Sequence, residues 1–274
     1  MVERPLYKTS QGVLTTLDVK AALAEIGICA GDVIFVHSDI SAFGKMANFD
    51  RDMLLGSLVD CMSEAVGDTG TLIMPTFSYS FCKDEVYDLA ATKSTVGVLT
   101  EFFRKQPGVV RTRHPIFSAA IRGAKQELLL QIDNDSFGQN SIFGKLRDLK
   151  GKIVIFGSSF RSSSTFLHYV EQSFGVSYRY LKTFEGKIHE NGRTHSATAT
   201  FLVRYLDRVV ELDTQRMEKY LLKNGIMRSV KLGEGTILVV NAQELFDAGM
   251  EWLEQDRYFL LSPNSRQSLQ ALAD

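Results

Sequence analysis

Cysteine, proline and tryptophan are scarce in this chain, with 3, 5 and 1 residues among 274. Cys29, Cys61 and Cys82 are unevenly spaced in segments of ordinary hydrophobicity, which argues against a disulfide framework and for reduced thiols. No apolar run approaches the roughly 20 residues that a membrane-spanning helix needs. The opening residues, MVERPLYKTSQG, hold no apolar stretch of the signal-peptide kind. An excess of one charge is missing too. The 31 Lys and Arg against 32 Asp and Glu leave a net charge of −1, which offers no general attraction to a nucleic-acid backbone. A cytoplasmic protein with no membrane and no nucleic-acid partner is expected. Internal repeats, low-complexity blocks and Pro/Ser/Gly-rich linkers are also lacking, so residues 1–274 read as a single domain with a tail at 263–274 whose order the sequence does not set.

What is present is the balance of an ordinary globular protein, 45% hydrophobic and 23% charged. An amphipathic helix around Leu17 to Ile26, with Thr15 and Thr16 as candidate caps, leads through Gly27 to the buried strand VIFVH at 33–37. The plan repeats: a helix from Met53 to Ala65, then the strand TLIMP at 71–75, which runs into the polar TFSYS. Further helices are expected at Val96 to Arg104 and Thr165 to Phe174. Strands are expected at HPIFSAAIRG (114–123, with its entry loop) and KIVIFG (152–157).

The alternation predicts an α/β fold, a mainly parallel central sheet with helices on both faces and a cleft beyond the carboxyl ends of its strands. After about Val176 the pattern turns to alternating strands around Asn191-Gly192, a two-residue hairpin signal, and the sheet is expected to gain antiparallel strands in this C-terminal half. A helix at Thr214 to Lys223, a strand pair around GEGTILVV and a helix at Ala242 to Glu254 complete the core.

Two segments carry candidate chemistry. In SSSTFLHYVE (162–171), His168 and Glu171 stand three apart on one helical face. An imidazole can accept a proton at neutral pH, and a carboxylate beside it can orient it and raise its basicity, which is what deprotonating an attacking amine requires. Residue types alone leave His168 open as a packing residue. In VHSDISAFGK (36–45), His37, Ser38 and Ser41 lie where a strand opens into a loop able to hold a pyrophosphate or pantetheine; on these residues alone an ordinary strand-end loop, with Ser side chains bonding their own backbone, fits better. Other chemistries fit less well. The chain has GSSFRSSS in place of the GxSxG of a serine hydrolase. The hairpin turn sets Ile188 opposite His195 and His189 opposite Thr194, so the two histidines face opposite sides of the ribbon and do not form a metal pair. No metal is expected.

Six segments in order resemble the aminoglycoside 3-N-acetyltransferase family: LTTLDVKAALAEIGICAGDVIFVHSDISAFG (14–44), AVGDTGTLIMPTFSYS (65–80), STVGVLTEFFRKQPGVVRTRHPIFSAA (94–120), FGQNSIFGKL (137–146), STFLHYVE (164–171) and GEGTILVVNAQELFDAGMEWL (233–253). The resemblance implies a three-layer α/β/α sandwich that binds acetyl-coenzyme A as acyl donor. It also implies direct transfer to an amine of an aminoglycoside or related amino sugar in a ternary complex. By position, it makes His168 the general base with Glu171 beside it, and places His37, Ser38, Ser41, Thr76, Ser94, Val96 and Gly97 on the coenzyme A side.

The family's His-Pro-x-His-Ser reads here His114-Pro115-Ile116-Phe117-Ser118, and the Gly-x-Ala near 240 reads Val240-Asn241-Ala242. These departures put acceptor shape in question more than donor chemistry. His114 and Phe117 are assigned to the acceptor side, with Glu211 and Asp213 as carboxylates for a cationic substrate; Asp207 is a further such carboxylate or the group that orients His168. A biosynthetic enzyme acting on a nucleotide-linked amino sugar, a thioester hydrolase and a coenzyme-A-binding module without turnover remain as alternatives, and the sequence is compatible with a homo-oligomer.

Overall fold

The computed structural model describes residues 3–271. In chain order the elements are β1 (Pro5–Thr9), β2 (Gly12–Thr15), α1 (Thr16–Glu25), β3 (Val33–Ser38), β4 (Lys45–Met46), α2 (Arg51–Val66), β5 (Thr71–Pro75), β6 (Tyr87–Asp88), α3 (Val98–Phe103), β7 (Val110–Arg111), β8 (Ala119–Gly123) and α4 (Gln126–Leu130). There follow α5 (Ile142–Asp148), β9 (Lys152–Phe156), α6 (Phe160–Ser163), α7 (Phe166–Phe174), β10 (Arg179–Glu190), β11 (Arg193–Arg204), α8 (Gln215–Lys223), β12 (Met227–Leu232), β13 (Gly235–Asn241), α9 (Ala242–Gln255) and α10 (Pro263–Gln270). The last element takes up most of the C-terminal tail; residues 272–274 lie outside the described part.

Seven strands form the central sheet in the order β12-β13-β9-β3-β5-β8-β7. Side-chain alternation divides its apolar residues between two cores. Ile34, Val36, Leu72, Met74, Val154 and Phe156 pack with α1 and α2 through residues such as Leu23 and Leu58. Phe35, Ile73, Ile153 and Ile155 face the other way, with Phe143, Leu167, Val170 and Leu245 from α5, α7 and α9. Full burial of each large apolar side chain contributes about 1.5–3 kcal/mol. Strands buried on both faces read as continuous apolar runs, which is why β3, β5 and β9 are legible as sequence.

The expected α/β class holds, but parallel pairing is confined to the centre, where β3 lies between β9 and β5. All other neighbours in this sheet are antiparallel, and they flank the centre on both sides: β13 and β12 beyond β9, and β8 and β7 beyond β5. Antiparallel extension therefore also comes from the N-terminal half, where β5 returns to β8 through a long excursion that carries β6, α3 and β7. The long hairpin β10–β11 does not extend the central sheet as expected. It forms a separate sheet with β6. Its register is the one the turn residues dictate, with Ile188 opposite His195 and His189 opposite Thr194. Asn191 and Gly192 have φ of 49° and 71°, the two positive values that a type I′ turn requires.

Candidate active site

The carboxyl ends of the three parallel strands bring together segments that are far apart in sequence. β3 ends at Ser38, and Asp39 N then donates to Phe156 O at the end of β9 (2.9 Å). β5 runs out through Thr76 to Phe77, whose carbonyl accepts from both Thr95 N and Thr95 Oγ1 at 2.9 Å. This clip sets the 94–97 segment beside β3: a methyl group built on Gly97 would lie 3.6 Å from Ser38 O. Gly97 has φ 125°, a conformation that favours glycine, and α3 starts directly after it.

Beyond β9 comes the serine-rich stretch, where Ser159 caps α6 by accepting from Ser162 N. α7 follows and ends at Gly175 in the left-handed conformation. His168 and Glu171 occupy one face of α7, with His168 Nδ1 2.6 Å from Glu171 Oε2. The His168 side chain is 21% exposed and that of Glu171 is fully enclosed. Arg179, at the start of β10, places Nε 2.9 Å from the same oxygen, in ion-pairing range but without the alignment of a hydrogen bond. Burial by itself would raise the pKa of Glu171. The charges of Arg179 and His168, with the hydrogen bond from His168, overcome that and hold the carboxyl below its usual range. An ionised carboxylate at Nδ1 selects the tautomer with its proton there and leaves the Nε2 lone pair free to act as a base.

Aromatic rings link this pair to the strand ends. The His168 ring centroid is 5.3 Å from that of Phe137, which is 4.7 Å from Phe117, itself 4.9 Å from Phe77. Phe143 bridges Phe137 to Phe35, and Phe35 packs on His37. One turn beyond His168, Gln172 Nε2 donates to Asp135 Oδ2 at 2.7 Å.

The residues expected on the donor side differ in what surrounds them. Ser38, Ser94, Val96 and Gly97 are brought together at the strand ends, and the buried Ser38 Oγ has no hydrogen-bond partner among the described residues. Ser94 Oγ shares a hydrogen bond with Thr100 Oγ1 at 3.0 Å. His37 faces the same core as α7, and its burial pushes its pKa down to about 4, which keeps the ring neutral. Ser41 and Thr76, like Ser94, have their hydroxyls engaged within the protein. Ser41 Oγ donates to Asp39 Oδ1 at 2.6 Å, and Thr76, fully buried, shares its Oγ1 with Ser118 and with Arg111 Nε. Arg111 was not singled out in the sequence. It also donates to the carbonyls of Thr76 and Thr92, tying the exit of β5 to the loop before α3.

On the acceptor side, His114 is 3% exposed and acts as a clip: its Nδ1 accepts from Phe117 N at 3.0 Å and Ile116 N at 3.3 Å. Burial lowers its pKa to about 4. Phe117 is 2% exposed, surrounded by Phe77, Tyr79, Phe137 and Phe201. Asp207 is not beside His168. It lies on the surface and pairs with its neighbour Arg208 at 2.9 Å, so the carboxylate that orients the imidazole is Glu171. Glu211 is exposed, with its backbone held by Ser265 and Ser262 of the C-terminal segment. Asp213 accepts from Gln215 N at the start of α8. A cavity of about 990 Å³ lies between the hairpin and the 130–134 segment; His114 lines it and His168 does not.

The model of the aminoglycoside 3-N-acetyltransferase family matches residues 35–254, which span the strand ends, the aromatic link and the His168–Glu171 pair. The chain belongs to this family. Among its relatives in the family, aminoglycoside N(3)-acetyltransferase IX of Micromonospora chalcea is 27% identical over 93% of this chain and 98% of that protein. Aminoglycoside N(3)-acetyltransferase VII of Streptomyces paromomycinus is 25% identical over 93% and 96%. The fold is shared with solved aminoglycoside acetyltransferases. The structure of AAC(3)-Xa aligns with a TM-score of 0.76 at 23% identity, covering 88% of this chain and 92% of that one. The structure of AAC-IIIb in binary complex with CoASH aligns with a TM-score of 0.75 at 22% identity, covering 90% and 98%.

Proposed function

We propose that this family member is an acetyl-coenzyme-A-dependent N-acetyltransferase that acts on an amine of an aminoglycoside or a related amino sugar. The observation that carries the reading is the His168–Glu171 pair, an imidazole oriented through Nδ1 by an enclosed, ionised carboxylate. The direct relatives, named as aminoglycoside N(3)-acetyltransferases along almost their whole length, support the acceptor class. The neighbour solved with CoASH supports the donor.

His168 Nε2 takes a proton from the attacking amine as its nitrogen bonds to the thioester carbonyl carbon. The tetrahedral intermediate then collapses with cleavage of the carbon–sulfur bond, and the thiolate leaves as coenzyme A. Backbone amides at the strand ends stabilise the oxyanion. The nitrogen gains positive charge as the bond forms, so a base that takes its proton at this point lowers the barrier. A cytoplasmic location fits an enzyme that draws on acetyl-coenzyme A.

The test is thiol release from acetyl-coenzyme A across a panel of aminoglycosides and nucleotide-linked amino sugars. Release that depends on an aminoglycoside upholds the reading. Turnover only with a nucleotide-linked sugar moves the enzyme to glycan biosynthesis, release without any amine makes it a hydrolase, and binding without release makes it a coenzyme-A-binding module.

A further inference from the structure

Glu171 is in an unusual electrostatic position. Its side chain is fully enclosed, and a buried carboxylate is costly unless cations and donors compensate it. His168 Nδ1 and Arg179 Nε both converge on Oε2, at 2.6 and 2.9 Å, while Oε1 has no hydrogen-bond partner among the described residues. The remaining groups that face it do not supply a charge. Tyr178 precedes Arg179 in the chain, and burial, reinforced by Glu171, raises the pKa of its hydroxyl, so it stays neutral. Asp256, after α9, acts on Tyr178. The Phe137 ring packs on His168, and one turn further along α7 the Gln172 amide is held by Asp135. Arg179, with a side chain only 8% exposed, is therefore the permanent cation of this cluster.

We propose that Arg179 is a positioning residue that keeps the His168–Glu171 pair in its working charge state, an anionic Glu171 beside a neutral imidazole. The inference rests on the reading of His168 as the general base. With Arg179 present, the pair without its last proton has net charge −1 and is balanced by one guanidinium. Without Arg179, the same state is an uncompensated buried anion, and the pair retains a proton to higher pH, whichever of the two side chains carries it. A retained proton removes the base. Arg179 thus acts on the reaction through Glu171 without touching either substrate.

The experiment compares Arg179→Lys, Arg179→Gln and Arg179→Met with the unaltered protein by the pH profile of kcat/KM, alongside a histidine-labelled NMR titration of the ring at position 168. For Arg179→Met and Arg179→Gln the acid limb is expected to move to higher pH by about one unit or more, the scale of an opposite charge removed from within ~4–6 Å. The ring signal should move with it. Arg179→Lys should restore the limb most of the way. Should the methionine variant fail to fold, the glutamine variant carries the same expectation. Profiles and ring titrations that superimpose on the unaltered protein, whatever happens to kcat or thermal stability, would reduce Arg179 to a structural ion-pair partner and overturn the proposal. The reading beneath it fails separately, through a His168→Ala variant that keeps its turnover, because the NMR titration reports on Arg179 and Glu171 whether or not the ring is catalytic.

Discussion

A methyl group on Gly157 would stand 2.2 Å from the Asp39 carbonyl oxygen and 2.9 Å from the Phe43 ring. Gly157 leaves β9 with φ 77°, and its approach to Asp39 holds the ends of β3 and β9 together where the candidate site is built. Gly157→Ala is expected to lower stability by about 1–3 kcal/mol, as a strained backbone with no room to relax does. Gly175→Ala separates the two causes: φ is also 77° there, but nothing lies within 4 Å of the added carbon, so its cost should be the smaller. Denaturant midpoints of the two variants give the comparison, and equal losses would mean that the contact with Asp39 is immaterial.

His168→Ala should reduce kcat by roughly 100-fold or more, the scale of a lost general base, while leaving coenzyme A affinity within a few-fold. Single-turnover kinetics and calorimetric titration with coenzyme A measure the two quantities. Near-normal turnover would make His168 a packing residue.

Glu171→Gln keeps the shape of the side chain and removes the charge that both His168 and Arg179 face. Because the pKa of Glu171 is lowered in the folded protein, its stabilising contribution is complete above the ordinary value of 4.5 and is lost as pH falls through the lower folded value. The variant should therefore be less stable than the unaltered protein at pH 7, by about 3–5 kcal/mol for a broken buried pair, and the gap should narrow in acid. Thermal melts from pH 7 to pH 3 follow it. A gap that is constant with pH would sink the assignment of an ionised Glu171.

Acid should also act through the two buried histidines. His37 and His114 have pKa values lowered to about 4 by burial, whereas an unfolded histidine titrates near 6.5. Between these values the unfolded chain binds a proton that the folded one does not, so stability falls as pH drops from 6.5 to 4, by about 1.4 kcal/mol per pH unit for each ring. Replacing His37 with leucine should remove one ring's share of that slope, which pH-dependent chemical denaturation will show.

Phe117 occupies the position where the family pattern has a histidine, yet it is packed among four aromatic rings instead of lining an open pocket. Phe117→Leu should cost a few kcal/mol of stability with little change in the ranking of acceptors. Phe117→His would bury an imidazole with no partner in view and cost about 1–3 kcal/mol on that account. A changed acceptor preference in a well-folded Phe117→His variant would show that this ring shapes the acceptor pocket after all.

Much of the fold was readable because the signals were local. VIFVH, TLIMP and KIVIFG are apolar on both parities, so the strands buried between two layers stand out, and Asn191-Gly192 alone fixed the register of the long hairpin. The hairpin's detachment from the central sheet was not readable. Its partner β6 is only two residues long, and pairing between Ile188 and Tyr87 leaves no periodicity in either segment. β7 and the β1–β2 hairpin were missed for similar reasons of length and exposure. At the site, the i,i+3 spacing on α7 made His168 and Glu171 visible together, since a helix places such residues side by side. Arg179 was invisible because it reaches Glu171 from another element. Asp207 was misplaced because a carboxylate in a charged loop carries no mark of the direction it faces.

The position of β3 between β5 and β9 also constrains how the molecule forms. β5 follows β3 after one helix, but Phe35, paired with Ile73 of β5, finds its other neighbour in Ile153, so the middle of the sheet closes only after more than half the chain has been made. Long-range parallel pairing of this kind slows folding, because the loop-closure entropy is spent before the contacts are gained. The helix with His168 and Glu171 emerges just behind β9, and Arg179 later still. During synthesis the nascent chain would thus expose the apolar edge of β3 for a long interval, and the chemistry of the site would be acquired only as that edge is covered.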